Sequence, residues 1–197
     1  MTDATEIRIT AEPQARPDQC LFRFDRILYP GTVYVSDPAF AAAHSPFLHA
    51  LFELGGIRGI QLRHSEMLVT LEEKPDDWRE IARAIGAAAR ARLQAGDEVL
   101  AEGAIDKMEG HDAFRARVQQ VVDTRLNPGL AAHGGFVEIV DSRGHDLWLN
   151  MGGGCQGCSS AAATMKQGVE VAIRDAVPEV EAIHDATDHA AGTNPYM

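Results

Sequence analysis

The stretch MGGGCQGCSS, Met151 to Ser160, fits two chemistries that belong to different folds. Gly152, Gly154 and Gly157 match G-x-G-x-x-G, the spacing that lets a backbone close on a pyrophosphate, while Cys155 and Cys158 match C-x-x-C, a pair of thiolates. The flanks weigh against the phosphate cradle. FVEIVD and DLWLNM read as two strands joined by SRGH, a turn so short that they should pair antiparallel, whereas a dinucleotide fold needs parallel strands linked by crossover helices. Asp175 and Glu179 stand at about the right distance for a ribose carboxylate but sit at a helix end before Pro178. No lysine follows Gly157, so the P-loop pattern fails as well.

Thiol chemistry is better supported. Three cysteines are an odd count for a disulfide framework, and MTDATEIRIT lacks the basic stretch and apolar run of an export signal. No segment reaches the length of a membrane span. The expectation is a soluble, cytoplasmic protein in which C-x-x-C serves metal or redox chemistry. At the mouth of a helix, unpaired N–H groups lower the pKa of both thiols, and the glycines leave the backbone free to fold around sulfur. Three uses remain open on the residues alone. A thiol–disulfide oxidoreductase is expected near a βαβ pattern, which the hairpin does not supply. A structural zinc needs four ligands, and the chain has no second C-x-x-C or H-x-x-x-H. An iron–sulfur cluster also takes four thiolates, which two copies could provide across a two-fold axis.

The rest of the chain reads as α+β, with 45% hydrophobic and 24% charged residues, enough for a sizeable core. Its 18 basic and 29 acidic groups give a net charge of −11, which argues against nucleic acid or an anionic membrane as partner. Residues 97–112 hold six acidic groups and one basic group between glycines and read as a solvated linker. Before it, Ile7–Thr10 and Cys20–Phe24 are short strands. Ser45 and Pro46 open a helix that Gly55 and Gly56 close, IRGIQL and MLVTL form a hairpin, and Asp76 or Asp77 caps a helix carrying Trp78, Ile81, Ile85 and Leu93. After it, Phe114, Val118, Val121, Val122 and Leu126 mark a helix that Pro128 kinks or restarts. Met165, Val169, Ala172, Ile173 and Ala176 mark another, and VEAIHDA is a last strand. The expected domains are 1–96, a linker at 97–112, 113–188, and a tail at 189–197.

From Phe114 to Asp188 the order is helix, DTRLNPGLAAHGG, two strands, GGGCQGC, and a helix ending in IRDAVPEVEAI. It resembles the NifU-like carboxy-terminal domain of Nfu-type iron–sulfur carriers. The first half, SPFLHALFELGGIRGIQLRHSEMLVTLEE followed by DDWREI, is similar to the amino-terminal domain of many Nfu proteins, although ITAEPQARPDQCLFRF departs from its TPNP-like opening. The resemblance implies two small α/β-sandwich-like domains and a protein that is not an enzyme. It implies a [4Fe–4S] cluster, one per homodimer, held by Cys155 and Cys158 of two copies. The cluster would come from an upstream assembly scaffold and pass to apo iron–sulfur proteins by thiolate exchange. The alternative is a C-x-x-C thiol–disulfide oxidoreductase.

Other residues have plainer readings. Cys20 begins the apolar CLFRF and suits a core strand better than a third ligand. His133 in AAHGG suits a helix end. Lys166 and Arg174 could offset a cluster's charge or be solvated, and Ser159 and Ser160 suit helix capping better than nucleophilic chemistry.

Overall fold

The computed structural model describes residues 6–132, 134–153 and 159–186, and the backbone alone at 153 and 159–166. The chain divides into two compact units, residues 1–108 and 109–197. Both mix helix and sheet, so the α+β class holds.

The first unit is built on an antiparallel sheet of five strands in the order β1-β2-β5-β4-β3. Its strands are β1 (Ile9–Pro13), β2 (Gln19–Phe24), β3 (Tyr29–Val35), β4 (Ile57–His64) and β5 (Glu66–Leu71). The hairpin read around RHSE is β4–β5, with Arg63 opposite Glu66. Alternation along β2 and β5 turns Cys20, Phe22, Met67 and Val69 into a core shared with Phe47, Leu48 and Leu51. The strand expected at Cys20–Phe24 is present as β2, the one expected at Ile7–Thr10 begins two residues later as β1, and the Ser45–Pro46 helix start and the Asp77 cap are present. The helices are α1 (Pro38–His44), α2 (Pro46–Phe52) and α3 (Trp78–Ala95).

Strand β3 and helix α1 were not foreseen. The Pro30-Gly31 pair falls inside the strand, and the structure absorbs it as a register shift between Tyr29 and Thr32 on the edge strand, where a proline costs no ladder bond. Helix α1 spans seven residues, too short for periodicity, although Asp37 caps it through Ala39 N–H and Pro38 stands at its start.

The acidic segment read as a linker is tied to the first unit as far as Met108. Ala101 N–H donates to His44 C=O at 2.9 Å, and the Ser45 hydroxyl donates to Val99 C=O at 2.6 Å. Ala104 and Met108 are buried, while Glu98, Glu102 and Asp106 stay exposed. The charge count registers the exposed residues and misses the two small anchors between them. Ser45 also accepts from Leu48 N–H at 2.8 Å and is fully buried, so one hydroxyl caps α2 and fastens this segment. Ser45→Ala should cost about 1–3 kcal/mol, since it removes a cap and strands a part-buried carbonyl. Denaturant titration by circular dichroism measures it.

The second unit packs helices against a three-stranded sheet in the order β6-β7-β8, with β6 (Gly135–Arg143), β7 (Asp146–Gly153) and β8 (Ile183–Asp185). Helix α4 (Gly110–Val121) runs into a π-turn at Val122–Leu126 and then α5 (Asn127–Ala131). Pro128 has no N–H to give and its ring crowds the carbonyl four residues back, so the widened turn before it relieves the clash. Helix α6 (Ser159–Ala176) links β7 to β8. Phe114, Val118 and Val122 meet Val137, Ile139, Leu147, Leu149, Val169 and Ile173 in one core.

Strands β6 and β7 pair antiparallel, as read. Strands β7 and β8 pair parallel, Leu147 opposite Ile183 and Leu149 opposite Asp185, through α6. The unit therefore contains a β7–α6–β8 crossover, which corrects the reading that parallel context was missing around the C-x-x-C. The hairpin showed the partner on one side of β7 and said nothing of the other.

Candidate functional site

Strand β7 ends at Gly153 and α6 begins at Ser159. Cys155 and Cys158 fall in sequence between these two elements and lie outside the described residues, as does His133. What the structure establishes is a frame, the strand and the helix on either side of them.

The strand side of the frame is set by cross-strand pairs: Gly135 opposite Gly153, and Phe136 opposite Gly152. A Cβ on Gly152 would lie 2.2 Å from the Phe136 ring, so the ring occupies the space a side chain would need. Gly152 is thus required for close approach, and Phe136 remains 43% exposed above it. Behind this pair, Asn127 acts as a clamp. Its amide donates to Val137 C=O at 3.1 Å and accepts from Val137 N–H at 2.8 Å, pairing with β6 as a strand would. Nothing in the sequence marks Asn127 except its place before Pro128. Asn127→Ala should lower the unit's stability by about 1–3 kcal/mol by leaving two part-buried backbone groups unpaired, which a shifted thermal midpoint would register.

The helix side is held by Val169, Ile173 and Val177, each buried in the core. They fix the axis of an 18-residue helix whose first residue, Ser159, directly follows Cys158 in the chain. Ser159 and Ser160 are the first two residues of α6, and their side chains lie outside the described ones. Arg174 stands 15 residues beyond Ser159, about 22 Å along the axis, too far to balance charge at the loop. It is employed elsewhere: its guanidinium donates to Val180 C=O at 2.8 Å and to Glu181 C=O at 3.3 Å, binding the return segment after Pro178 to the helix. The side chain of Lys166 lies outside the described ones.

Two further residues resolve as structural. Cys20 is fully buried on β2, and burial pushes its thiol up to about 11, which suppresses both nucleophilicity and metal binding. Arg115, nearly buried on α4, donates to the Ser142 hydroxyl at 2.9 Å and to Ile139 C=O at 3.2 Å. That carbonyl stands beside the register shift between Ile139 and Asp141, so the guanidinium ties α4 to β6 at its irregular point. Neither Asp175 nor Glu179 reaches a strand tip. Asp175 stays in α6, and Glu179 pairs with Arg117 at 2.8 Å on the surface.

Among the described residues no group of three or more His, Cys, Asp or Glu side chains is arranged to hold a metal ion, and no helix is long and apolar enough to cross a membrane. Residues 118–184, from α4 through β8, match the family model described as "NifU-like domain". The second unit carries a NifU-like domain. This bears out the resemblance drawn from the order of its elements and from C-x-x-C. The Fe/S biogenesis protein NfuA of Ruthia magnifica subsp. Calyptogena magnifica is 48% identical over 82 residues, 41% of this chain and 43% of that protein. The NfuA of Stenotrophomonas maltophilia strain K279a is 49% identical over 83 residues, 41% of each. The match spans less than half the length of these relatives. A solved NifU-like protein from Saccharomyces cerevisiae aligns with 52% of this chain and 91% of its own, at TM-score 0.46 and 14% identity, too slight a likeness to bear on the fold. Cys155 and Cys158, the two cysteines outside the first unit, fall in sequence between β7 and α6, which makes that segment the candidate site.

Proposed function

We propose that the protein is an iron–sulfur cluster carrier. Cys155 and Cys158 of one copy, with the same pair from a second copy, hold a [4Fe–4S] cluster as cargo, accepted from an assembly scaffold in the cytoplasm and passed to apo-proteins. The observation that supports this most directly is the NifU-like match over residues 118–184, which encloses the C-x-x-C between β7 and α6. The physical argument is ligand count. Two thiolates per chain at an interface hold a cluster less permanently than four from one buried site, so incoming cysteines can replace them one at a time without nucleotide hydrolysis.

Anaerobic reconstitution with iron and sulfide, followed by sizing, tests the reading: about four iron and four sulfide per two chains, in a species twice the mass of the apo chain. The β7–α6–β8 crossover gives the oxidoreductase reading a point in its favour, because thiol redox pairs occur beside βαβ units. A chain that stays metal-free under reconstitution and cycles a Cys155–Cys158 disulfide would establish that reading instead.

A further inference from the structure

The first unit contains a cleft of about 450 Å³ between the α2–β4 turn, the end of β5 and the first half of α3. Its floor is apolar: Ile57, Leu71, Ile81 and Ile85. One wall of the cleft is the pair Gly55 and Gly56, both in the left-handed region at φ 80° and 69°, and the facing helix contributes the small Ala84 beside Ile81 and Ile85. Leu54 stands at the lip, 45% exposed.

The rim is acidic. Glu72 and Glu73 line it and are exposed, and Glu53 and Asp76 flank the lining residues in sequence. Among the described residues none of these four carboxylates has an ion-pair partner, and Lys74 is the basic residue in the lining. The interior lacks the convergent buried polar groups that orient a small molecule. An apolar hollow with exposed carboxylates on its rim is instead the arrangement of a polypeptide anchor site, where a bulky side chain supplies affinity and the charged rim supplies selectivity.

We propose that this cleft docks a segment of a recipient protein that inserts a large apolar side chain flanked by lysine or arginine. That the partner is a recipient rests on the carrier reading; the docking chemistry does not. The site lies in the unit without the C-x-x-C.

The test uses the full chain and a short fluorescent peptide with a Leu-Phe pair between lysines, followed by anisotropy. Saturable binding is expected, weakened about tenfold or more both by Ala84→Trp, which fills the cleft, and by joint Glu72→Lys and Glu73→Lys, which invert the rim. Binding should fall as salt rises toward 1 M. Peptides with serine for the Leu-Phe pair, or glutamate for the lysines, should not bind. Circular dichroism and thermal midpoints establish that the variants fold. The proposal is overturned if Ala84→Trp binds as the parent does, or if the acidic-flanked peptide binds equally, which would mark a site for apolar small molecules. It is also overturned if the chain self-associates without peptide and Ala84→Trp abolishes that, which would make a second copy the occupant. Peptide binding by a chain that takes up no iron would sink the carrier reading and leave the docking site standing.

Discussion

Replacing either Cys155 or Cys158 by alanine is expected to remove essentially all reconstituted iron and sulfide while leaving the far-ultraviolet spectrum and the thermal midpoint unchanged. The thiols are the ligands the carrier reading requires, and with two per chain the loss of one takes two of four from a shared cluster. Cys20→Ala should retain the full cluster, because a fully buried thiol with a pKa near 11 is almost entirely protonated at neutral pH and is enclosed by the first unit's core. A companion measurement separates the three. Alkylation of the native apo chain should modify two cysteines rapidly and the third only after denaturation. A Cys155→Ala chain that kept its iron would overturn the ligand assignment, and fast labelling of Cys20 would overturn its burial.

Ile173→Ala is expected to have the largest effect on stability. The side chain is fully buried where α6 meets β6, β7 and α4, and truncation there costs about 2–5 kcal/mol. Against a total of about 5–15 kcal/mol for a domain, that should lower the second unit's midpoint by about 10 °C or more. The two tryptophans report the units separately, Trp78 in the first and Trp148 in the second. With Trp78→Phe as background, Trp148 fluorescence should show the early transition; with Trp148→Phe, the Trp78 signal should keep its midpoint. A midpoint that does not move for Trp148 would contradict the packing described for α6. The variant also complements the cysteine substitutions, for it should lose cargo only above its lowered midpoint, whereas they lose it at every temperature.

Much of the frame was readable in advance because it depends on neighbours in the chain. The β4–β5 and β6–β7 hairpins follow from alternating strands joined by short turns, and Gly144 at φ 56° supplies the reversal in the second. The caps at Ser45 and Asp77 follow from side chains that reach N–H groups two or three residues on. Strand β3 and helix α1 were missed for reasons equally local: a Pro-Gly pair that an edge strand tolerates, and a helix too short to show a period. Segment 97–108 was misjudged because its charge is dense and its anchors, Ala104 and Met108, are few.

The sequence by itself determined the chemistry: two thiols at a spacing that lets them face one point, glycines around them, a strand before and an amphipathic helix after. Tertiary structure alone decided that β8 lies parallel beside β7, that Arg174 holds the return segment rather than facing the loop, that Asn127 completes the edge of β6, and that the Phe136 ring takes the space above Gly152. The division has one physical cause. Turns, caps and ligand spacing are set by residues within a few positions of one another. The pairing of β7 with β8 is set when the stripe Val169, Ile173 and Val177 buries itself against the sheet, and only that burial brings residues 147–149 and 183–185 together.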